Sequence, residues 1–85
     1  MKEIRYIVKD KLGIHARPAG LLVKQTSKFN SKIMIKKDTK EIDAKSILGV
    51  MSLGVRCGEE ILVTFEGTDE AVASETIRDF FINYL

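Results

Sequence analysis

Apolar residues in this chain change their spacing repeatedly, and the order of those changes leaves few folds open. Ile4-Arg5-Tyr6-Ile7-Val8 alternates, with Ile4, Tyr6 and Val8 on one face, and reads as a strand. From Ala16 to about Lys28 the period lengthens to that of a helix. Ala19, Leu22, Val23 and Thr26 form its stripe, with Phe29 just beyond. The only proline, Pro18, fits the first turn of that helix, where a missing N–H costs nothing, and so sets the helix start close to His15. Strand spacing returns from Ser31 to Lys36 and, after a tight turn at Asp38-Thr39, from Lys40 to Asp43. Ser46 suits the N-cap of a short apolar helix holding Ile47, Leu48, Val50 and Met51. Gly54 and Gly58 bracket a loop, and Ile61 to Phe65 makes a fourth strand. Thr68 or Asp69 caps a last helix with Val72, Thr76, Ile77, Phe80, Phe81 and Tyr84 on one side. The order βαββαβα predicts an α+β fold, a small antiparallel sheet covered by helices on one face.

With 85 residues the chain has room for one domain, residues 1–85, and none for a deep enclosed cavity. No apolar run approaches the ~20 residues of a membrane span. The start, Met1 to Arg5, passes directly into strand-like sequence, so neither a secretory signal nor membrane insertion is expected. Cys57 is the only cysteine, which rules out an internal disulfide and fits a cytoplasmic location. One cysteine and one histidine do not make a usual structural zinc site, so no metal and no cofactor are expected. A net charge of +2 is too balanced for a dedicated nucleic-acid binder. An RNA-binding module would also need an aromatic stacking pair on a strand, which is missing. Lys24, Lys28, Lys32, Lys36, Lys37, Lys40 and Lys45 crowd the middle, while Glu59, Glu60, Glu66, Asp69, Glu70, Glu75 and Asp79 crowd the last third. These runs read as two solvated faces, or as a mildly basic face for acidic protein partners.

Chemistry concentrates in Gly13-Ile14-His15-Ala16-Arg17-Pro18-Ala19. It sets the only histidine at a helix start, where four N–H groups lack intrahelical partners and the dipole is positive. Anions bind at such ends. Arg17 adds a permanently charged fork suited to phosphate oxygens, and Gly13 leaves room around the ring. A neutral imidazole there can attack a phosphoryl donor, and the phosphate formed would rest against the amides and Arg17. The plainer alternative is that His15 only caps the helix. Nothing in the sequence signals a serine and acid aimed at His15 as in a hydrolase triad.

Gly13 to Ala19, together with Lys45-Ser46-Ile47-Leu48-Gly49-Val50-Met51-Ser52-Leu53-Gly54, closely resembles the HPr family, the phosphocarriers of the bacterial sugar phosphotransferase system. The resemblance runs over essentially the whole chain in length, element order and motif spacing. It implies an open-faced β-sandwich with strand order 1-4-2-3 and three helices on one side. It further implies that His15 takes a phosphoryl group on Nδ1 from phosphoenolpyruvate-charged enzyme I and passes it to IIA domains of sugar permeases, with Arg17 contacting the phosphate. The chain would then be a substrate of phosphotransferases rather than an enzyme, and a monomer. Ser46 matches the regulatory serine of the Gram-positive type, the target of HPr kinase/phosphorylase, whose phosphate is read by a transcription regulator of carbon catabolism. Leu21, Lys24, Ile47, Leu48 and Met51 would form the docking patch and its basic rim, unless Leu48 and Met51 are simply core. A purely regulatory relative would lack the histidine. Leu12, Gly20 and the pair Arg56-Cys57 depart from the common pattern. They bear on partner preference and stability, Gly20 by weakening its helix by up to ~1 kcal/mol relative to alanine.

Overall fold

In a computed structural model describing residues 1–85, the chain runs β1 (Lys2–Ile7), α1 (Ala16–Thr26), β2 (Lys32–Lys37), β3 (Lys40–Asp43), α2 (Ile47–Ser52), β4 (Glu60–Glu66) and α3 (Glu70–Tyr84). The strands form one antiparallel sheet in the order β1-β4-β2-β3, the order implied by the resemblance. Its register follows from the alternation in each strand. Ile4 lies opposite Val63, Val63 opposite Ile35, and Ile35 opposite Ile42, so one branched side chain from each strand meets the helices in a single row. Ile33, Phe65 and Ile61 add neighbouring positions on the same face, all fully buried. On the other face Glu3, Arg5, Lys36 and Glu60 stand in solvent.

Each helix reaches that face differently. α1 buries Pro18, Ala19, Leu22 and Thr26. The Thr26 hydroxyl, on an otherwise apolar stripe, donates to the Ala44 carbonyl at 2.8 Å, which satisfies a buried polar group and ties α1 to the turn after β3. α1 ends at Thr26 rather than Lys28. Lys28 N–H and Phe29 N–H turn back to the carbonyls of Gln25 and Thr26 in a tighter i→i−3 spiral. α3 rests on β1 and β4, and the Tyr6 ring stacks on Phe81 at 5.3 Å while its hydroxyl donates to the Phe81 carbonyl. Burial pushes the Tyr6 phenol above its usual range.

Two readings of α3 need correction. Its buried side is Ala73, Ser74, Ile77, Phe80 and Phe81, whereas Val72 and Tyr84 are exposed. The stripe takes in small Ala73 and also Ser74, whose buried hydroxyl is satisfied by donating to the Ala71 carbonyl at 2.8 Å. Asp69 stands at the N-cap position but makes no capping bond. Its carboxylate instead accepts from Asn30 N–H, Ser31 N–H and the Ser31 hydroxyl. Those bonds, the Ser31 hydroxyl foremost, hold its carboxyl below the usual range. Glu70 accepts from Gly67 N–H at 3.1 Å, which braces the turn before α3 and caps none of the helix's own amides.

Candidate functional site

Gly13 fixes where the site can form. It sits at φ +68°, and a Cβ there would lie 2.2 Å from the Val55 carbonyl oxygen. The glycine therefore serves the contact with the 55–56 segment, where Ile14 N–H donates to the same carbonyl, more than space around the ring. Beyond it His15 is the N-cap of α1 in extended conformation (φ −108°, ψ −176°). Its carbonyl accepts the first intrahelical bond, from Ala19 N–H at 3.0 Å, but its ring makes no capping hydrogen bond. The plain capping role is thus not how the ring is used. The ring is half-buried, and Arg17 beside it is exposed.

A cavity of about 200 Å³ opens here, lined by Asp10, His15, Arg17, Pro18, Leu21 and Tyr84. It is wide enough for a phosphoryl group and open enough for a partner to deliver one. Asp10 and Tyr84 are not among the residues that the sequence points to. The Asp10 carboxylate lies 3.9 Å from His15 Nε2. Tyr84 comes from the far end of the chain, because the Leu85 carbonyl accepts from Lys9 N–H and Asp10 N–H and so anchors the end of α3 beside the loop. Spacing alone carries no signal for either. A larger hollow of about 480 Å³ lies on the bare sheet face. Lys37 pairs with Glu59 at 2.9 Å and Arg5 with Glu60 at 3.5 Å, and Asp38 balances the charge of Lys36, so it holds no uncompensated positive cluster.

The second motif builds a different helix start. The Ser46 hydroxyl accepts from Gly49 N–H at 3.0 Å, an ordinary side-chain cap of α2. α2 buries only Val50. Ile47, Leu48 and Met51 are exposed, Leu48 by 82 %, so they are not core. Leu21 and Lys24 are exposed on α1. Several lysines of the central run have structural duties. Lys40 Nζ donates to the Ser52 carbonyl and Lys37 Nζ to the Gly54 carbonyl, at the C-terminal end of α2, and Lys45 Nζ donates to the Phe29 carbonyl. No group of three or more His, Cys, Asp or Glu side chains could hold a metal ion, and no helix is long and apolar enough to cross a membrane.

The family model described as the HPr component phosphorylation site of the phosphotransferase system matches residues 2–83. The chain belongs to the HPr family. It is 46 % identical over 76 residues to the phosphocarrier protein HPr of Treponema pallidum, covering 89 % of this chain and 86 % of that one. It superposes on HPr-C-His of Thermoanaerobacter tengcongensis with a TM-score of 0.93 at 46 % identity, over 98 % of this chain and 93 % of the other. An HPr dimer from the same organism matches with a TM-score of 0.78 at 46 % identity, over 98 % and 95 % of the two chains. As a member of the HPr family the chain is a phosphocarrier of the phosphotransferase system, not an enzyme.

Proposed function

We propose that His15 is the phosphoryl acceptor, through Nδ1, and that Arg17 holds the transferred group. The observation that carries this is the uncapped ring of His15 at the start of α1, beside an exposed guanidinium and an open cavity of phosphoryl size. The amides of the first turn and Arg17 would take the phosphate oxygens by charge-assisted hydrogen bonds. Phospho-enzyme I would be the donor and IIA domains of sugar permeases the acceptors, with the chain acting as a monomer in the cytoplasm.

Docking would use Leu21, Ile47, Leu48 and Met51, with Lys24 on the rim. Methionine suits a surface that must fit more than one partner. Ser46 would be the target of HPr kinase/phosphorylase. A phosphate there adds about −1.5 to −2 charge next to the docking residues. It would weaken docking of enzyme I and offer an anion to a catabolite-control transcription regulator. The direct test is incubation with enzyme I and phosphoenolpyruvate. Gain of one phosphoryl group, and its loss again when a IIA domain is added, is the expected outcome. A chain that stays unmodified with active enzyme I would overturn the reading.

A further inference from the structure

The site contains a carboxylate that a phosphate-binding cavity does not call for. Asp10 is among the best-held residues of the β1–α1 loop. Its N–H donates to the Leu85 carbonyl at 2.9 Å, its carbonyl accepts from Gly13 N–H at 2.9 Å, and its Oδ1 accepts from Leu12 N–H at 2.8 Å. With Oδ1 occupied, Oδ2 is the oxygen turned toward His15 Nε2, at 3.9 Å. The other charged and titratable groups lining the cavity are Arg17 from α1 and Tyr84 from α3.

We infer that Asp10 is a positioning residue that selects the tautomer of His15. A carboxylate accepts but cannot donate, so Oδ2 favours the ring form with the proton on Nε2. That form leaves the lone pair on Nδ1. This inference rests on the reading of His15 Nδ1 as the acceptor. When Nδ1 bonds to phosphorus, the bond from phosphorus to its donor breaks and that electron pair leaves with the donor. The acceptor ring is left carrying the Nε2 proton and a positive charge, which Asp10 offsets. The 3.9 Å separation exceeds a hydrogen bond, and it shortens as that charge develops. Asp10 stands on the Nε2 side, and the phosphate attaches at the other nitrogen. One negative group can therefore sit in an anion site without occupying the phosphate's place.

The alternative is that Asp10 only caps the Leu12 amide. Two substitutions separate the two roles. Asparagine caps such turns as well as aspartate. In Asp10→Asn, however, the amide oxygen keeps Leu12 N–H, and the NH2 group takes the place of Oδ2. It then presents a donor to Nε2, which favours the tautomer with the proton on Nδ1 and blocks the nucleophile. Asp10→Ser keeps a shorter cap and offers His15 neither donor nor charge. With ¹⁵N-labelled histidine, the ring shifts of the unphosphorylated protein should show the proton on Nε2 in wild type and a move toward Nδ1 in Asp10→Asn, with Asp10→Ser between them. Phosphoryl uptake from limiting enzyme I and phosphoenolpyruvate should fall in the same order, by about tenfold or more for Asp10→Asn, the scale of one lost charge-assisted hydrogen bond. The NMR readout needs no phosphorylation, so failure of the acceptor reading shows separately, as a wild type that enzyme I leaves unmodified. A tautomer ratio unchanged in Asp10→Asn, at any transfer rate, overturns the inference, and so does Asp10→Asn transferring faster than Asp10→Ser.

Discussion

α1 and α2 begin in opposite ways. At Ser46 the side chain reaches back and satisfies Gly49 N–H, the local solution that a short polar residue gives any helix. At His15 the ring leaves its helix uncapped, and proline in the first turn removes one of the donors that would otherwise need a partner. The first start is complete by itself; the second has no side chain on its first-turn amides. The difference fits the roles proposed for the two ends, phosphoryl transfer at the uncapped start and structure that a modification could exploit at the capped one. A phosphate on Ser46 would take over amides already in use, so its effect falls on the apolar neighbours Ile47, Leu48 and Met51. A phosphate on His15 would meet amides that are waiting for an anion.

The sharpest way to break this contrast is His15→Ala. Phosphoryl uptake should vanish, while the melting free energy moves by no more than about 0.5 kcal/mol, because no capping bond is lost. Uptake surviving in that variant would place the chemistry elsewhere. Next, Arg17→Ala should slow uptake by about ten- to a hundredfold in single-turnover assays with unchanged thermal melting, as expected for an exposed side chain that contacts only the transferred group. At the other helix the balance should reverse. Ser46→Ala should lower stability by about 1 kcal/mol and leave uptake near wild type. Ser46→Asp should keep the cap and slow uptake a few-fold through weaker docking. Equal uptake by the two Ser46 variants would make Ser46 an ordinary cap.

The start of α3 sharpens the contrast most gently. Asp69 gives its carboxylate to Asn30 and Ser31, which lowers its pKa in the folded chain. The stabilisation is therefore fully present above the unfolded carboxylate value of about 3.9 and is lost as pH falls through the lower folded value. Glu70 and Glu59 are shifted the same way, Glu70 chiefly by Gly67 N–H and Glu59 chiefly by Lys37. Melting temperature should fall below about pH 4, and Asp69→Asn should flatten that fall. An identical acid slope in the variant would remove Asp69 from the explanation.

Local signals carried much of this into view. Pro18 located the start of α1 because its ring permits few positions in a helix, and the alternation of Ile4, Tyr6 and Val8 marked the inner face of β1, whereas the unbroken apolar runs of β2 and β4 show their buried faces only in the structure. The strand order came through the resemblance, since pairing of β1 with β4 depends on residues far apart in sequence. Asp10 and Tyr84 stayed hidden for the same reason: the Leu85 carbonyl brings the end of α3 to the β1–α1 loop, and no spacing encodes that contact. The lysine run was legible as charge but not as role. Lys37 and Lys40 bind carbonyls at the end of α2, a duty visible only once the turn between β2 and β3 is brought to that end of the helix.

The most direct measurement maps the phosphate after a single turnover with enzyme I and phosphoenolpyruvate, on intact protein and on peptides. One group should be found on His15, lost in mild acid and retained in alkali, as a bond from phosphorus to nitrogen behaves. Phosphate that survives acid, or that maps to Ser46 or another hydroxyl, would contradict the assignment of the uncapped start of α1 as the reacting end.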